Sequence, residues 1–268
     1  MPGAPDSAYV AARRVLLDAL EALNAHLDAL VLVGAQAIYL HTGEGDLAVA
    51  PYTTDADLAV DPNALGPVPA LEAAMGAAGF ILRTEPGIWF GAGAVEIDLL
   101  VPETLGGGGR RGARLGTHGN RAARKARGLE ATLVNNTPME IRALEDHDNR
   151  RFEIAVAGPA ALLVAKLHKL AERQGAADRL QDKDALDILR LLREAETEAL
   201  AATMRELLAD ERSTHVARES LDQLRALFGS DSTPGSQMAA RAAQPLEDPA
   251  TIAASVTALS ADLLRALE

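Results

Sequence analysis

The sequence predicts an α+β protein in which a small mixed sheet flanked by helices is followed by a helical C-terminal domain. Two observations predict this class. Up to about residue 157, short apolar runs of strand length alternate with segments of helical periodicity, and from residue 159 onward almost every segment has helical periodicity. We therefore expect an α/β domain at residues 1–157 and a helical domain at residues 158–268.

Turn residues and apolar periodicity divide the chain into elements. Asp6 or Ser7 is expected to cap the first helix, because a side-chain oxygen at that position accepts hydrogen bonds from the free N–H groups of the first turn. The expected helices are 7–30, 35–41, 68–79, 159–173, 182–193, 196–208, 214–227 and 249–267, with a Gly/Ser/Pro interruption at 229–236. The expected strands are 29–33, 53–61, 80–83, 95–101, 132–134, 139–143 and 151–156.

Composition excludes several classes of protein. At 268 residues and 48% hydrophobic content, the chain can bury a sizeable core and is not disordered throughout. The lack of cysteine excludes disulfides, thiolate nucleophiles and Cys-ligated metals, so any metal would bind to Asp, Glu or His. No apolar run of spanning length and no leader peptide is readable, so we expect a soluble, cytoplasmic protein with no membrane partner. The formal net charge of −12 argues against non-specific nucleic-acid binding over the whole surface.

The most informative local pattern is Asp55-Ala56-Asp57 in an expected strand. Residues two apart in a strand project to the same face, so the two carboxylates lie side by side and repel each other. A divalent cation bound by both explains this placement, and ligation by oxygen alone suits Mg²⁺. Asp98 interrupts the apolar strand 95–101 and becomes a third carboxylate if the two strands are neighbours. The alternative is a solvated Asp-x-Asp pair at a strand end.

Several segments together resemble a known family. The segments that resemble the DNA-polymerase-β-type nucleotidyltransferases are Val-Leu-Val-Gly-Ala-Gln-Ala at 31–37, Thr-Thr-Asp-Ala-Asp-Leu at 53–58 and Glu-Ile-Asp-Leu-Leu at 96–100. The segments that look like the AbiEii/AbiGii branch, whose members include toxins of bacterial toxin–antitoxin systems, are 166–170 and 182–189. This resemblance implies a small sheet joined to a helical domain, with a nucleotide bound between them.

The resemblance also implies roles for individual residues. It implies Mg²⁺ binding by Asp55 and Asp57, with Asp98 completing the site and acting as the base. The residues that it assigns to the nucleotide are Gly34, Ala35, Thr53, Lys166 and Asp184, with Gly34 near the triphosphate, Lys166 meeting its charge and Asp184 in a supporting role. Ala35 departs from the family, which usually has Gly or Ser there, and this leaves the substrate preference open.

Three further residues near these motifs, Lys169, Arg173 and Asp187, can be explained as ordinary surface residues. Lys166, Lys169 and Arg173 share one helix face, and for the last two we favour a solvated basic stripe. Asp187 fits a surface acid as well as a functional residue.

A basic segment follows the strands. Residues 110–127 contain seven Arg or Lys and no Asp or Glu, which suits contact with an RNA backbone or a triphosphate, or else a solvated loop. The predicted function is Mg²⁺-dependent transfer of a nucleoside monophosphate from an NTP to a hydroxyl of tRNA or another RNA, by a toxin with a cognate antitoxin protein. The alternatives are a small-molecule or protein acceptor, or a non-catalytic nucleotide-binding module.

Overall fold

A computed structural model describes residues 6–43, 52–172 and 179–268 of the chain. It confirms the predicted fold class: a mixed sheet is flanked by helices, and the C-terminal part is helical. Arg173 lies outside the described residues. No helix in the described part of the chain is long and apolar enough to cross a membrane.

The helices follow the apolar periodicity of the sequence closely. Asp6 caps the first one, since its carboxylate accepts hydrogen bonds from the N–H groups of Ala8 and Tyr9. The helices are α1 (Ser7–Ala22), α2 (Gly34–Thr42), α3 (Leu71–Ala77), α4 (Pro159–Glu172), α5 (Arg179–Glu194), α6 (Thr197–Ala209), α7 (Thr214–Phe228), α8 (Pro234–Ala242) and α9 (Pro249–Ala266).

The strands form one sheet in the described part of the chain. They are β1 (Leu30–Val33), β2 (Asp55–Val60), β3 (Ile81–Leu82), β4 (Ile88–Phe90), β5 (Glu96–Pro102), β6 (Arg124–Ala126), β7 (Asn136–Arg142) and β8 (Arg151–Ala157). Their order is β3-β4-β5-β2-β1-β8-β7, with β6 paired to β5 beside this path. The β5–β2, β1–β8 and β5–β6 pairs are parallel, and the other pairs are antiparallel. The predicted domain boundary falls between β8 and α4.

Four expectations about local structure were wrong. Residues 132–134 are not a strand, because a 3₁₀ helix at Leu129–Leu133 is closed by the hydroxyl of Thr132, which donates to the carbonyl of Leu129 at 2.7 Å. The first helix ends at Ala22, and a 3₁₀ helix occupies Asn24–Ala29. Strand β4 and helix α8 were not expected. Pro234 does not interrupt α8, since it stands at the helix start, where its lack of an N–H costs nothing.

A buried ion cluster joins the first two helices of the C-terminal part. The Nζ of Lys166 on α4 donates to Asp184 at 2.5 Å and to Asp187 at 2.8 Å, both on α5. All three side chains are buried. Lys169, one turn further along α4, is 39% exposed and reaches the other oxygen of Asp184 at 3.4 Å. Asp187 is therefore not a surface acid, and Lys169 is not part of a merely solvated stripe.

These two lysines give a matched test of the cluster. We expect Lys166→Met to lower the free energy of unfolding by about 3 kcal/mol, because it leaves two buried carboxylates without their shared cation. Lys169→Met should cost less than about 1 kcal/mol, because the side chain of Lys169 is 39% exposed and Asp184 keeps its shorter contact with Lys166. Urea unfolding of both variants measures this, and equal losses would contradict the assignment.

Candidate active site

The register of β2 and β5 brings four carboxylates to one face of the sheet. Asp55 pairs with Glu96 and Asp57 pairs with Asp98 across the parallel strands. Since the pairs are two residues apart, all four side chains project to the same side. Ala56, Leu58 and Val60 are buried on the other side, as the alternation predicts. Ala59, on the carboxylate face, is buried as well.

This face forms the floor of a cavity of about 330 Å³ between the sheet and helices α2, α4 and α5. Most residues that the sequence singled out line it: Gly34, Ala35, Asp55, Asp57, Asp98, Lys166 and Asp184. Thr53 is fully buried and does not line the cavity, but its hydroxyl donates to Oδ1 of Asp55 at 2.5 Å. The structure thus gathers around one cavity residues that are up to 150 positions apart in the chain.

Gly34 is required by the position of Asp57. Its φ of +70° is in the left-handed region, and an added Cβ would lie 2.0 Å from Oδ2 of Asp57. The junction between β1 and α2 therefore leaves room for a carboxylate only if residue 34 has no side chain. This adds a second reason for glycine to the one implied by the family resemblance, a close approach of the triphosphate.

Asp98 has a partner that the sequence did not indicate. Arg124 on β6 forms an ion pair with Oδ2 of Asp98. The other oxygen of Asp98, Oδ1, is buried without a hydrogen-bond partner among the described residues, as is Nε of Arg124. A buried acceptor in this position is costly unless a ligand satisfies it. Asp98 therefore has one committed oxygen and one that is available to a bound group.

Burial and repulsion by a neighbouring carboxylate both raise the pKa of Asp57. Burial and the neighbouring carboxylate of Asp55 raise its pKa to about 7, against the weaker opposing effect of Lys169. In the described residues, neither Asp55 nor Asp57 has an ion-pair partner. The protein therefore holds two adjacent carboxylates that a cation would stabilise.

The donor set fits a hard divalent cation such as Mg²⁺. Within the described residues, no group of three or more His, Cys, Asp or Glu side chains is arranged to hold a metal ion. Mg²⁺ is commonly bound by only one or two carboxylates, with water and substrate phosphates completing the shell. Asp55 and Asp57 can supply these, and the unpaired Oδ1 of Asp98 is a third available oxygen.

The other cations that line the cavity are Arg124, Arg127, Lys169 and Lys183. None of them was predicted as a site residue, although Arg124 and Arg127 belong to the basic segment, Lys169 shares a helix face with Lys166, and Lys183 lies in the motif at 182–189. The side chain of Gln36 was not indicated by the sequence, and it donates to the backbone carbonyl of Asp55 at 3.1 Å.

The basic segment is ordered along the edge of β5. The N–H of Lys125 donates to the carbonyl of Arg111 at 2.8 Å, and that of Ala113 to the carbonyl of Ala123 at 3.0 Å. Arg124, between these contacts, lines the cavity. The exposed arginines of the segment are Arg110, Arg111, Arg114, Arg121 and Arg127. A cationic surface therefore continues from the cavity to the outside.

Comparison with known proteins does not assign a family. No protein-family description matches the chain, and no curated protein is similar to it at a significant level. One solved structure, described as an antigenic nucleotidyltransferase-like protein from Paracoccidioides brasiliensis, has 16% sequence identity and a TM-score of 0.40. The match covers 82% of this chain and 95% of that one. At this distance the similarity supports no argument about fold or function.

Gly34 and Gly43 provide a controlled test of the space beside Asp57. Both have positive φ, but an added Cβ at Gly43 meets no described residue within 4 Å. Gly34→Ala should lower the free energy of unfolding by about 2 kcal/mol more than Gly43→Ala, because only the first change displaces a carboxylate. Chemical unfolding measures the difference, and similar losses would show that Asp57 does not need this space.

The raised pKa of Asp57 predicts a pH-dependent effect of its removal. A carboxyl whose folded pKa is about 7 stabilises the folded state below its unfolded value of 3.8, and this contribution is lost as pH rises towards 7. Asp57→Asn should therefore be more stabilising at pH 8 than at pH 5, by about 2 kcal/mol, in buffer without divalent cations. Urea unfolding of both proteins at both pH values measures this. A difference that does not change with pH would be inconsistent with a buried, repelled carboxylate.

Proposed function

We propose that this protein is a nucleotidyltransferase that moves a nucleoside monophosphate from an NTP to an acceptor hydroxyl. The observation that carries the proposal is the cavity, which is lined by two carboxylates without ion-pair partners among the described residues, Asp55 and Asp57, and by cations from α4, α5 and β6. A triphosphate bound with a divalent cation needs both kinds of group within a few ångströms. The resemblance of the motifs around Gly34, Asp55 and Asp98 to the nucleotidyltransferases points to the same chemistry.

The reaction is an in-line displacement at the α-phosphorus. The acceptor oxygen forms a bond to this phosphorus, the bond to the bridging oxygen of the β-phosphate breaks, and pyrophosphate leaves. The acceptor hydroxyl gives up its proton, for which the unpaired Oδ1 of Asp98 is a suitable acceptor. Arg124 holds the other oxygen of Asp98 and so fixes the orientation of the carboxylate.

Mg²⁺ held by Asp55 and Asp57 would supply charge neutralisation at the transferred phosphoryl group. The hydroxyl of Thr53 fixes Asp55, and the carbonyl of Asp55 is fixed by Gln36, so the strand cannot rotate away from the cavity. Gly34 and Ala35 offer the N-terminal backbone of α2, whose first turn has no side-chain cap, to a phosphate.

We propose an RNA, with tRNA as the first candidate, as the acceptor. Arg110, Arg111 and Arg114 are exposed, and the segment that carries them pairs with the strand of Arg124. This arrangement suits a phosphodiester backbone that leads an RNA end to the cavity. A small-molecule or protein acceptor would not need this surface.

The motifs at 166–170 and 182–189 favour a toxin of the AbiEii type as the biological role. Such a protein would act in the cytoplasm, where NTP and tRNA are both present, and would be neutralised by an antitoxin protein. The chemistry proposed above does not depend on this role.

Labelling experiments test the proposal. Purified protein incubated with Mg²⁺, total RNA and each of the four α-labelled NTPs should transfer label from at least one NTP to RNA. Asp57→Asn should reduce this transfer at least about 100-fold. The change removes a carboxylate that would hold Mg²⁺, and Mg²⁺ would neutralise the charge on the transferred phosphoryl group. Asp222→Asn, at a position 80% exposed, should leave it unchanged.

The acceptor is tested separately. Replacing Arg110, Arg111 and Arg114 with Gln should weaken RNA labelling and reduce its sensitivity to salt, while hydrolysis or exchange of the NTP is unaffected. Label transfer that is unchanged in this variant would favour the small-molecule or protein acceptor. Stoichiometric NTP binding without transfer to any acceptor would favour the non-catalytic module.

A further inference from the structure

The cations around the cavity differ in whether they are already paired. Five positively charged side chains line it in the described part of the chain: Arg124, Arg127, Lys166, Lys169 and Lys183. Four of them contact carboxylates. Arg124 pairs with Asp98 and Arg127 with Glu219. Lys166 contacts Asp184 and Asp187, and Lys169 contacts Asp184.

Lys183 is the exception. It is the residue after Asp182 near the start of α5, is partly buried, and has no hydrogen bond or ion pair with another described residue. Its surroundings do not compensate its charge fully. Burial and the nearby ammonium of Lys166 lower the pKa of Lys183, while Asp187, Asp55 and Asp184 act in the opposite direction from beyond ion-pair distance. A cation held in this way gains more from an incoming anion than one that has a carboxylate in contact.

The contacts of Lys166 make it poorly suited to the same task. Its Nζ is buried and already has two carboxylates at 2.5 and 2.8 Å. Lys169 also contacts Asp184, so the two lysines and two aspartates of the cluster balance formally, and a phosphate that approached Lys166 would meet a charge that is already neutralised. The cluster instead fixes α5 against α4 and thereby sets the position of Lys183 at the cavity.

We infer that Lys183, and not Lys166, is the residue that binds the polyphosphate part of the substrate. This inference rests on the proposed function for the identity of the anion, which is the β- and γ-phosphates of an NTP and then the leaving pyrophosphate. Asp55 and Asp57 hold the cation of the same complex on the opposite wall. Lys166 has a positioning role.

Binding of inorganic tripolyphosphate with Mg²⁺, measured by calorimetry on the full chain, tests the inference without requiring turnover. Lys183→Gln should weaken binding at least about 10-fold, and Lys183→Arg should restore most of it, because arginine keeps the charge. Arg265→Gln is the control. Arg265 lies on α9, is exposed and paired with Asp262, and does not line the cavity, so its replacement should leave binding unchanged.

A structural role would affect stability, so thermal unfolding is measured on the same proteins. Lys183→Gln should keep the midpoint of the wild type or raise it, because the side chain has no hydrogen bond or ion pair with a described residue to lose. If Lys183→Gln binds tripolyphosphate as tightly as the wild type, or if it binds weakly only because it unfolds, the inference is wrong.

Label transfer from NTP separates this inference from the proposed function. Wild-type protein that transfers label but binds tripolyphosphate independently of Lys183 would overturn the inference and leave the function standing. Protein that binds tripolyphosphate through Lys183 but transfers label to no acceptor would support the anion site and overturn the function.

Discussion

The parallel pairing of β2 with β5 imposes the constraint on which the rest of the site depends. It places Asp55 beside Glu96 and Asp57 beside Asp98, so four like charges share one face of the sheet. Like charges directly opposite each other destabilise a sheet. The structure offsets part of this with Arg83 on Glu96 and Arg124 on Asp98. Among the residues that the structure describes, no cation pairs with Asp55 or Asp57, which concentrates the unfavourable charge at the position where a ligand can relieve it.

The buried cluster on α4 and α5 complements this floor. Burying a lysine among apolar side chains is unfavourable unless carboxylates accompany it, and here two aspartates do so. With Lys166 committed in this way, the helix pair is fixed against the sheet. In the described part of the chain, the cavity between them is lined by two carboxylates and a lysine without ion-pair partners, Asp55, Asp57 and Lys183. Groups of both signs around one cavity fit the metal-bound polyphosphate of the proposed function.

Features set by local periodicity were predictable from the sequence, and features set by tertiary pairing were not. The shared face of Asp55 and Asp57 follows from the two-residue period of a strand. That Asp98 adjoins them depends on a parallel contact between strands about 40 residues apart, and only the family resemblance suggested it. The pairing of Arg124 with Asp98 depends on β6, which is three residues long and has no periodicity of its own. Lys183 stands in the motif at 182–189, but its lack of an ion-pair partner among the described residues depends on the packing of α5 against α4, which the sequence does not show.

The roles of Gly34 and Lys166 also look different once their tertiary contacts are known. From the sequence, each has a role only towards a ligand, as a glycine near phosphate and a lysine near its charge. In the structure each first serves the protein itself: Gly34 leaves space for the carboxylate of Asp57, and Lys166 neutralises Asp184 and Asp187. Loss of activity on replacing either residue would therefore not establish contact with substrate. Lys183 differs because, among the described residues, it has no hydrogen bond or ion pair that its replacement would remove, so weaker anion binding in a folded Lys183 variant would indicate contact with the ligand.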